Sequence, residues 1–552
     1  MKKTIVILLI LGMLLSLFAC GKDAKTDVDT SASASNTSVN ESNNIASPNS
    51  DSGNGSFADQ GTNTQATGEP QYGGTLHITV SSEGASPIGV PWEVYGVEIA
   101  LSSPFIETLL YQKPSGELIP LLAKSWEEDQ DNLEVRMTLN EGILFHDGTE
   151  LTAEVAVWNL TKSWEHGANM PTTVKAIEVR GDYEFAVLYD EWQFTYASGL
   201  GARGNGFISM EAYEKNGLEW ARENPVGTGP FVFSEYVKSG YIRSVRNDNY
   251  WKEGLPYLDG MDIEFIRDTM TQNIALQSTG EQRLDSIDTT NLEQAQMFQS
   301  LGYNVLVQPI SALSLIPSSA NEDSPFADPD VRLALSYALD RDAICAARGF
   351  NLLQPAYQVC SSDYNAYLPE SDNLPGYNPE KAKELLAQAG YPNGFSTTLY
   401  GQPGMADKDV VVAVQGQLAA VGINAAVEFP DSGGYTAVRG GGWDGMLVQS
   451  YRSFAFMAST FSLINSQNST TYHSLEKPDE LEALIQTALR TADDGQAVQA
   501  AHRYILQSAL VIPIFYLIEC TINKPYVEKT EIADLAPRVQ PEYVWFSGDE
   551  WK

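Results

Sequence analysis

The chain runs to 552 residues, enough for several domains and a large buried core. With 34 Lys+Arg against 71 Asp+Glu it carries a formal net charge of −37, a balance that repels phosphate backbones and excludes nucleic acid as a partner. Four Cys and five His exclude a Cys-rich zinc module or a disulfide scaffold.

At the N-terminus, Lys2 and Lys3 precede an apolar run from Ile5 to Ala19. That run is short for a membrane span and suits the apolar part of a signal peptide over residues 1–19. It ends Leu17-Phe18-Ala19-Cys20-Gly21, which resembles the bacterial lipobox, although Phe18 is bulkier than the usual occupant. The resemblance implies that Cys20 is diacylated and becomes the mature N-terminus. Residues 20–71 are rich in Ser, Asn, Thr, Asp and Gly and cannot bury enough surface to offset ordering, so they read as a disordered tether.

From Tyr72 onward strands and helices alternate. GGTLHITV (73–80) predicts an opening strand, and Asp147-Gly148 a turn. Thr152 caps a helix that runs through Ala153, Val157 and Leu160 and stops near Gly167. Gly227 and Gly229 read as a tight turn before the strand FVFSEYV (231–237), and IEFI (263–266) as a further strand. Asp328-Pro329 opens a helix with Val331, Leu335, Ala338 and Leu339 on one face. Asn378-Pro379 opens another that Gly390 closes. Two more helices are predicted at about 479–490 and 494–508. The most apolar later stretch, Tyr504 to Ile522, is broken by Gln507, Pro513 and Glu519 and reads as a helix end followed by a buried strand.

Catalytic motifs are missing. Gly199-Leu200-Gly201-Ala202-Arg203-Gly204 fits G-x-G-x-x-G, but Asn205-Gly206 follows where a dinucleotide site needs a helix. No His-Glu-x-x-His, G-x-S-x-G or Walker loop occurs, and His146, His166 and His502 sit in capping or helical contexts. The reading is a non-enzyme with no cofactor.

Six blocks carry a resemblance: KSWEEDQDNLEVRMTLNEGILFHDGTELTAEVAVWNL (124–160), NPVGTGPFVFSEYVKSGYIRSVRNDNYW (224–251), FADPDVRLALSYALDRDAI (326–344), GYNPEKAKELLAQAGYPNGF (376–395), VGINAAV (421–427) and IPIFY (512–516). In this order they resemble the bacterial extracellular solute-binding proteins of family 5, the oligopeptide, dipeptide and nickel group that serves ABC importers. The resemblance implies an α/β, two-lobed fold of the periplasmic-binding-protein type (type II, class C), with an extra subdomain in lobe I. Lobe I would take residues 72–268, with the subdomain at about 115–215, and return over 508–552; lobe II would take 269–507. It further implies a monomeric lipoprotein on the extracytoplasmic face of the cell membrane, on a Gram-positive surface. There it would hand a peptide-like or other small solute to permease subunits driven by cytoplasmic ATPases. A nickel or metallophore binder of the same family, or a surface sensor or adhesin without transport, are the alternatives.

The ligand residues depart from the peptide-binding pattern. Peptide binders of the family place an Asp against the peptide's free amine in a stretch matching WDGMLVQSYRSFAFMASTF (443–461). Aligned on Trp443-Asp444, that position is Ser453, with Arg452 beside it. A buried ammonium without a carboxylate is costly, so the stretch favours a solute recognised through an anionic group. Arg203 lies near where nickel- and metallophore-binding relatives hold ligand carboxylates, and a guanidinium fork suits that task. His473 falls near their His ligand, though one imidazole makes no metal site. Trp443 and Tyr451 are candidates to line the cleft or to sit in the core. Cys345 and Cys360 form a bridge only if their Cβ atoms meet; closing that loop would contribute roughly 3 kcal/mol. Cys520 reads as a free core thiol.

Overall fold

The computed structural model describes residues 68–81, 83–84, 87–94, 101–113, 117–167, 170–201, 205–372, 374–452, 457–491, 495–529 and 540–552. Cys20, Arg203, Ser453 and nearly all of the tether lie outside them.

Local sequence signals set most of the elements. After β1 (Thr75–Val80) come β2 (Leu110–Gln112), β3 (Leu118–Pro120), β4 (Ala123–Asp129) and β5 (Glu134–Leu139). Helix α1 (Ala153–Glu165) opens where the Thr152 hydroxyl accepts from the Val155 amide. β6 (Val174–Val179), β7 (Glu184–Tyr189) and the short helices α2 (Tyr196–Leu200), α3 (Met210–Asn216) and α4 (Leu218–Glu223) follow. Gly199 therefore lies inside a helix that no strand immediately precedes, and the dinucleotide reading fails on geometry.

β8 (Phe231–Val237), β9 (Tyr241–Arg246) and β10 (Gly260–Phe265) lead to α5 (Thr269–Gln277), β11 (Ser286–Thr289) and α6 (Leu292–Ser300). The long strand β12 (Asn304–Pro317) precedes α7 (Pro329–Ala338), capped by Asp328, and α8 (Arg341–Arg348). α9 (Pro379–Gln388) is capped by Asn378, and Gly390 follows at φ +92°. β13 (Phe395–Gly401), α10 (Lys408–Ala420), β14 (Ile423–Glu428), α11 (Ser432–Gly441), β15 (Met446–Arg452) and α12 (Met457–Asn465) come next. α13 (Asp479–Arg490), α14 (Gln496–Gln507), the long strand β16 (Ile512–Asn523), β17 (Val527–Lys529) and β18 (Val544–Phe546) complete the described elements.

Ten strands form one mixed sheet in the order β14-β13-β15-β12-β16-β11-β1-β10-β9-β8. A separate antiparallel sheet, β4-β5-β7-β6, has its own core, which α1 joins through Ala153, Ala156 and Leu160.

In the large sheet, β12 and β16 pair antiparallel over most of their length. β11 joins β16 only over Cys520–Asn523, and β15 joins β12 only over Ser311–Pro317. Around Gln308↔Glu519 and Pro309↔Ile518 the sheet therefore narrows to two strands. A register shift between Pro309 and Ser311 falls at this waist, and another between Leu313 and Ser314 follows.

Different cores lie on either side of the waist. Val305, Val307, Ile518 and Ile522 pack with Ala295 and Phe298 of α6. Leu313, Leu315, Ile512 and Ile514 pack with Val331, Leu385 and Val414 of α7, α9 and α10. The opposite face of β15 carries Leu447 and Tyr451 into a third core with α12, α13 and α14.

Candidate functional site

The waist is where the sequence's ligand segment arrives. Arg452, the last residue of β15, stands opposite Ser311 in the register, and the Ser450 hydroxyl donates to the Ser311 hydroxyl at 2.7 Å. β15 thus ends at the narrowing. On the other side of β16, the Tyr516 hydroxyl donates to the Cys360 carbonyl at 2.8 Å. The Tyr516 and Ala356 amides bond across to Gln354 and Ile514.

Trp443 and Tyr451, which sequence leaves open between cleft wall and core, are both buried, with 5% and 0% of their surfaces exposed. The Trp443 indole donates to the Ile316 carbonyl at 3.2 Å and the Tyr451 hydroxyl to Asn465 Oδ1 at 2.6 Å. β15 is an interior strand covered on both faces, so alternation along it decides which core a side chain joins and leaves neither side bare.

His473 is exposed in a turn. Among the described residues no group of three or more His, Cys, Asp or Glu is placed to hold a metal ion, so the imidazole has no co-ligands there. The bridge considered for Cys345 and Cys360 is not formed; both are buried free thiols, as is Cys520. The physical reason is separation: Cys345 belongs to the core with α7 and α10, Cys360 to the core with α12 and α14.

Around Trp443 lies a set of residues that sequence reading missed. The Tyr435 hydroxyl donates to Gln449 Oε1 at 2.9 Å, and Gln449 Nε2 donates to the Tyr472 hydroxyl. The Arg439 guanidinium carbon stands 5.3 Å from the Tyr472 ring centroid. Tyr435 and Arg439 share a face of α11 one turn apart, a spacing visible in sequence; their partners come from a strand and a loop that only the fold brings near.

The match to known proteins is broad. The family model for the bacterial extracellular solute-binding proteins, family 5 (middle region), matches residues 117–472. The chain belongs to family 5. It is 30% identical over 438 residues to the glutathione-binding protein GsiB of Escherichia coli O1:K1, covering 75% of this chain and 84% of that one. It is 32% identical over 422 residues to the oligopeptide-binding protein AppA of Bacillus subtilis, covering 68% and 72%. The substrate-binding protein CtaP of Listeria monocytogenes superposes with a TM-score of 0.74 at 20% identity, covering 87% of this chain and all of that one. DppA of Helicobacter pylori, in complex with the peptide STSA, gives 0.67 at 22% identity, covering 87% and 99%. The two structural likenesses establish the fold as that of the periplasmic binding proteins. No described helix is long and apolar enough to cross a membrane.

The family 5 blocks now acquire physical roles. Gly227 and Gly229, read from sequence as turn glycines, are instead close-approach glycines. A Cβ on Gly227 would sit 2.1 Å from the Phe105 carbonyl oxygen, and one on Gly229 2.5 Å from that of Pro104. Tyr250 and Trp251 serve a residue the sequence did not flag, Glu107. Its carboxylate accepts from the Tyr250 hydroxyl at 2.8 Å, the Trp251 indole at 2.9 Å and the Thr228 hydroxyl at 2.9 Å. Burial, together with nearby Glu542, pushes the Glu107 carboxyl above its usual range, while Lys252 and the Trp251 and Tyr250 donors pull it back. This is a structural anchor that binds the 224–251 block to the segment before β2.

Proposed function

We propose that the chain is the solute receptor of an ABC importer, capturing a peptide-like solute between two lobes and presenting it to the permease. One observation carries the reading: in a family 5 chain, a ten-stranded sheet narrows to two register-shifted strands between separate hydrophobic cores. A joint of this kind is the element about which hinge closure can trap a solute. The proposed lobes divide at the waist, near Gln308 in β12 and Glu519 in β16, so that α5, β11 and α6 go with the first lobe rather than with the 269–507 expected from sequence, and Ile512 and Ile514 with the second. The relatives named for glutathione and oligopeptides make small, carboxylate-bearing peptides the first class to try.

Arg203, Arg452 and Ser453 are proposed contacts for the solute's anionic end, supported by Arg452's position at the waist. Cys20 is the proposed lipid anchor, and residues 20–71 the tether holding the body at the outer membrane face. Calorimetry with glutathione, free peptides and N-acetylated peptides tests the receptor reading, preceded by native mass spectrometry for co-purified solute. Saturable one-to-one binding by any of these supports it; no retained solute and no binding across the panel overturns it.

A further inference from the structure

We infer that Arg439 and Tyr472 form a binding site for a small carboxylate anion. The inference stands whichever solute the importer reading assigns to the waist.

Arginines elsewhere on the body are met by carboxylates, as at Arg136, Arg222 and Arg348. Buried Arg341, which has no acid, is met by the carbonyls of Ser336 and Pro513. Arg439 differs from these. It makes no ion pair or hydrogen bond among the described residues, and its Nε is buried without an acceptor. In a chain with 71 acids and 34 bases, a half-buried guanidinium left without an acid is the exception.

Its neighbours supply donors and aromatic walls. Tyr472 is 5% exposed, lies beneath the guanidinium, and meets the Trp443 ring edge-on at 6.4 Å. The Tyr472 oxygen already accepts from Gln449, whose own oxygen accepts from Tyr435. That relay directs hydrogens toward Tyr472 and leaves its hydroxyl proton to be donated onward. Arg439, stacked over the Tyr472 ring, and the Tyr472 hydroxyl are then neighbouring donors for which no described residue supplies an acceptor, a need that a ligand oxygen would meet.

The backbone holds this arrangement at a cost. Tyr472 has φ +61°, the left-handed region that non-glycine residues rarely adopt. Ser474 Oγ accepts from the Trp443 amide at 2.7 Å, which pins the 472–474 turn to the segment leaving α11. A single cation with a planar fork and one hydroxyl matches the charge and shape of a carboxylate; a phosphate dianion calls for more positive charge.

The test uses trifluoroacetate as a probe, followed by fluorine NMR line broadening on the intact protein. Saturable broadening is expected for the wild type. Arg439→Gln should weaken it at least tenfold, Arg439→Lys less, and Tyr472→Phe several-fold, with melting temperatures unchanged within a few degrees. Inorganic phosphate should displace the probe no better than chloride. Broadening that survives Arg439→Gln overturns the site, and efficient displacement by phosphate overturns the carboxylate assignment. Tyr472→Phe keeps the ring and removes only the donor, so it separates recognition from folding.

Discussion

The backbone amide of Phe194 donates to the carbonyl of Leu489 at 3.1 Å. Phe194 lies in the stretch between β7 and α2, beside the small antiparallel sheet, and Leu489 near the end of α13, so the bond crosses between the two proposed lobes. Tyr196, two residues on, has its hydroxyl pKa raised by burial, and the charge of Arg490 opposes that rise. A contact of this kind favours a closed arrangement by about 1 kcal/mol. Phe194→Pro removes the donor, whereas Phe194→Ala keeps it. Solute affinity should fall about fivefold more in the proline variant than in the alanine variant, with a larger radius of gyration in X-ray scattering. Equal effects in both would assign the role to the phenyl ring alone.

Glu107 makes a stability prediction. Replacing it by alanine strips the acceptor from three donors, Tyr250 and Thr228 of them buried, and leaves Lys252 with Glu542, 2.9 Å away, as its carboxylate partner among the described residues. Urea unfolding should show a loss of about 3–5 kcal/mol. Tyr250→Phe, which removes a single donor, should cost about 1 kcal/mol. A neutral Glu107→Ala would contradict the anchoring role.

His502 sets a pH dependence. It is fully buried; Nε2 accepts from the Val359 amide at 3.3 Å, so Nδ1 carries the proton donated to the Ala366 carbonyl at 2.7 Å. Burial lowers its pKa from 6.5 to about 4. Between these values the unfolded chain binds a proton that the folded chain refuses, so this contribution is complete above pH 6.5 and declines as the pH falls toward 4. The fall amounts to roughly 3 kcal/mol. The stability gap between wild type and His502→Gln should narrow by about that much from pH 7 to pH 4. A gap independent of pH would rule out a neutral buried imidazole.

The three body cysteines should be chemically silent. Burial pushes the Cys345 and Cys520 thiols up to about 12, and Cys360 higher still. Native protein should give no reaction with a thiol reagent at pH 8, and its melting temperature should ignore reductant. Rapid labelling, or a melting temperature lowered by reductant, would point to exposed or bridged cysteines.

Sequence made the local parts of the fold legible. Thr152, Asp328 and Asn378 cap the helices they were expected to cap, because a cap is a contact within three residues. The interrupted run from Tyr504 to Ile522 resolved into α14 and β16 for the same reason: Pro513 and the spacing of polar residues are local facts. Long-range relationships were not readable. Nothing near Glu107 announces that Tyr250, Trp251 and Thr228 will converge on it. Gly227 and Gly229 looked like turn residues because sequence shows that a side chain is absent but not which backbone needs the space. Trp443 and Tyr451 were ambiguous because period-2 alternation does not reveal a strand covered on both faces.

The order of strands also constrains how the molecule is made. β16, which begins at Ile512, lies between β11 and β12, which end far earlier in the chain, at Thr289 and Pro317. At the other end, a Cβ on Gly74, just before β1, would meet the rings of Phe546 and Trp551 at 2.8 Å. β1 is thus roofed near its start by Phe546 and Trp551. A polypeptide emerging N-terminus first must hold β11 and β12 with exposed edges until residue 523 is available, and must wait for residue 551 to seal its opening strand. A chain that stops short of Ile512 would be two half-sheets without their keystone, open to chaperones and proteases.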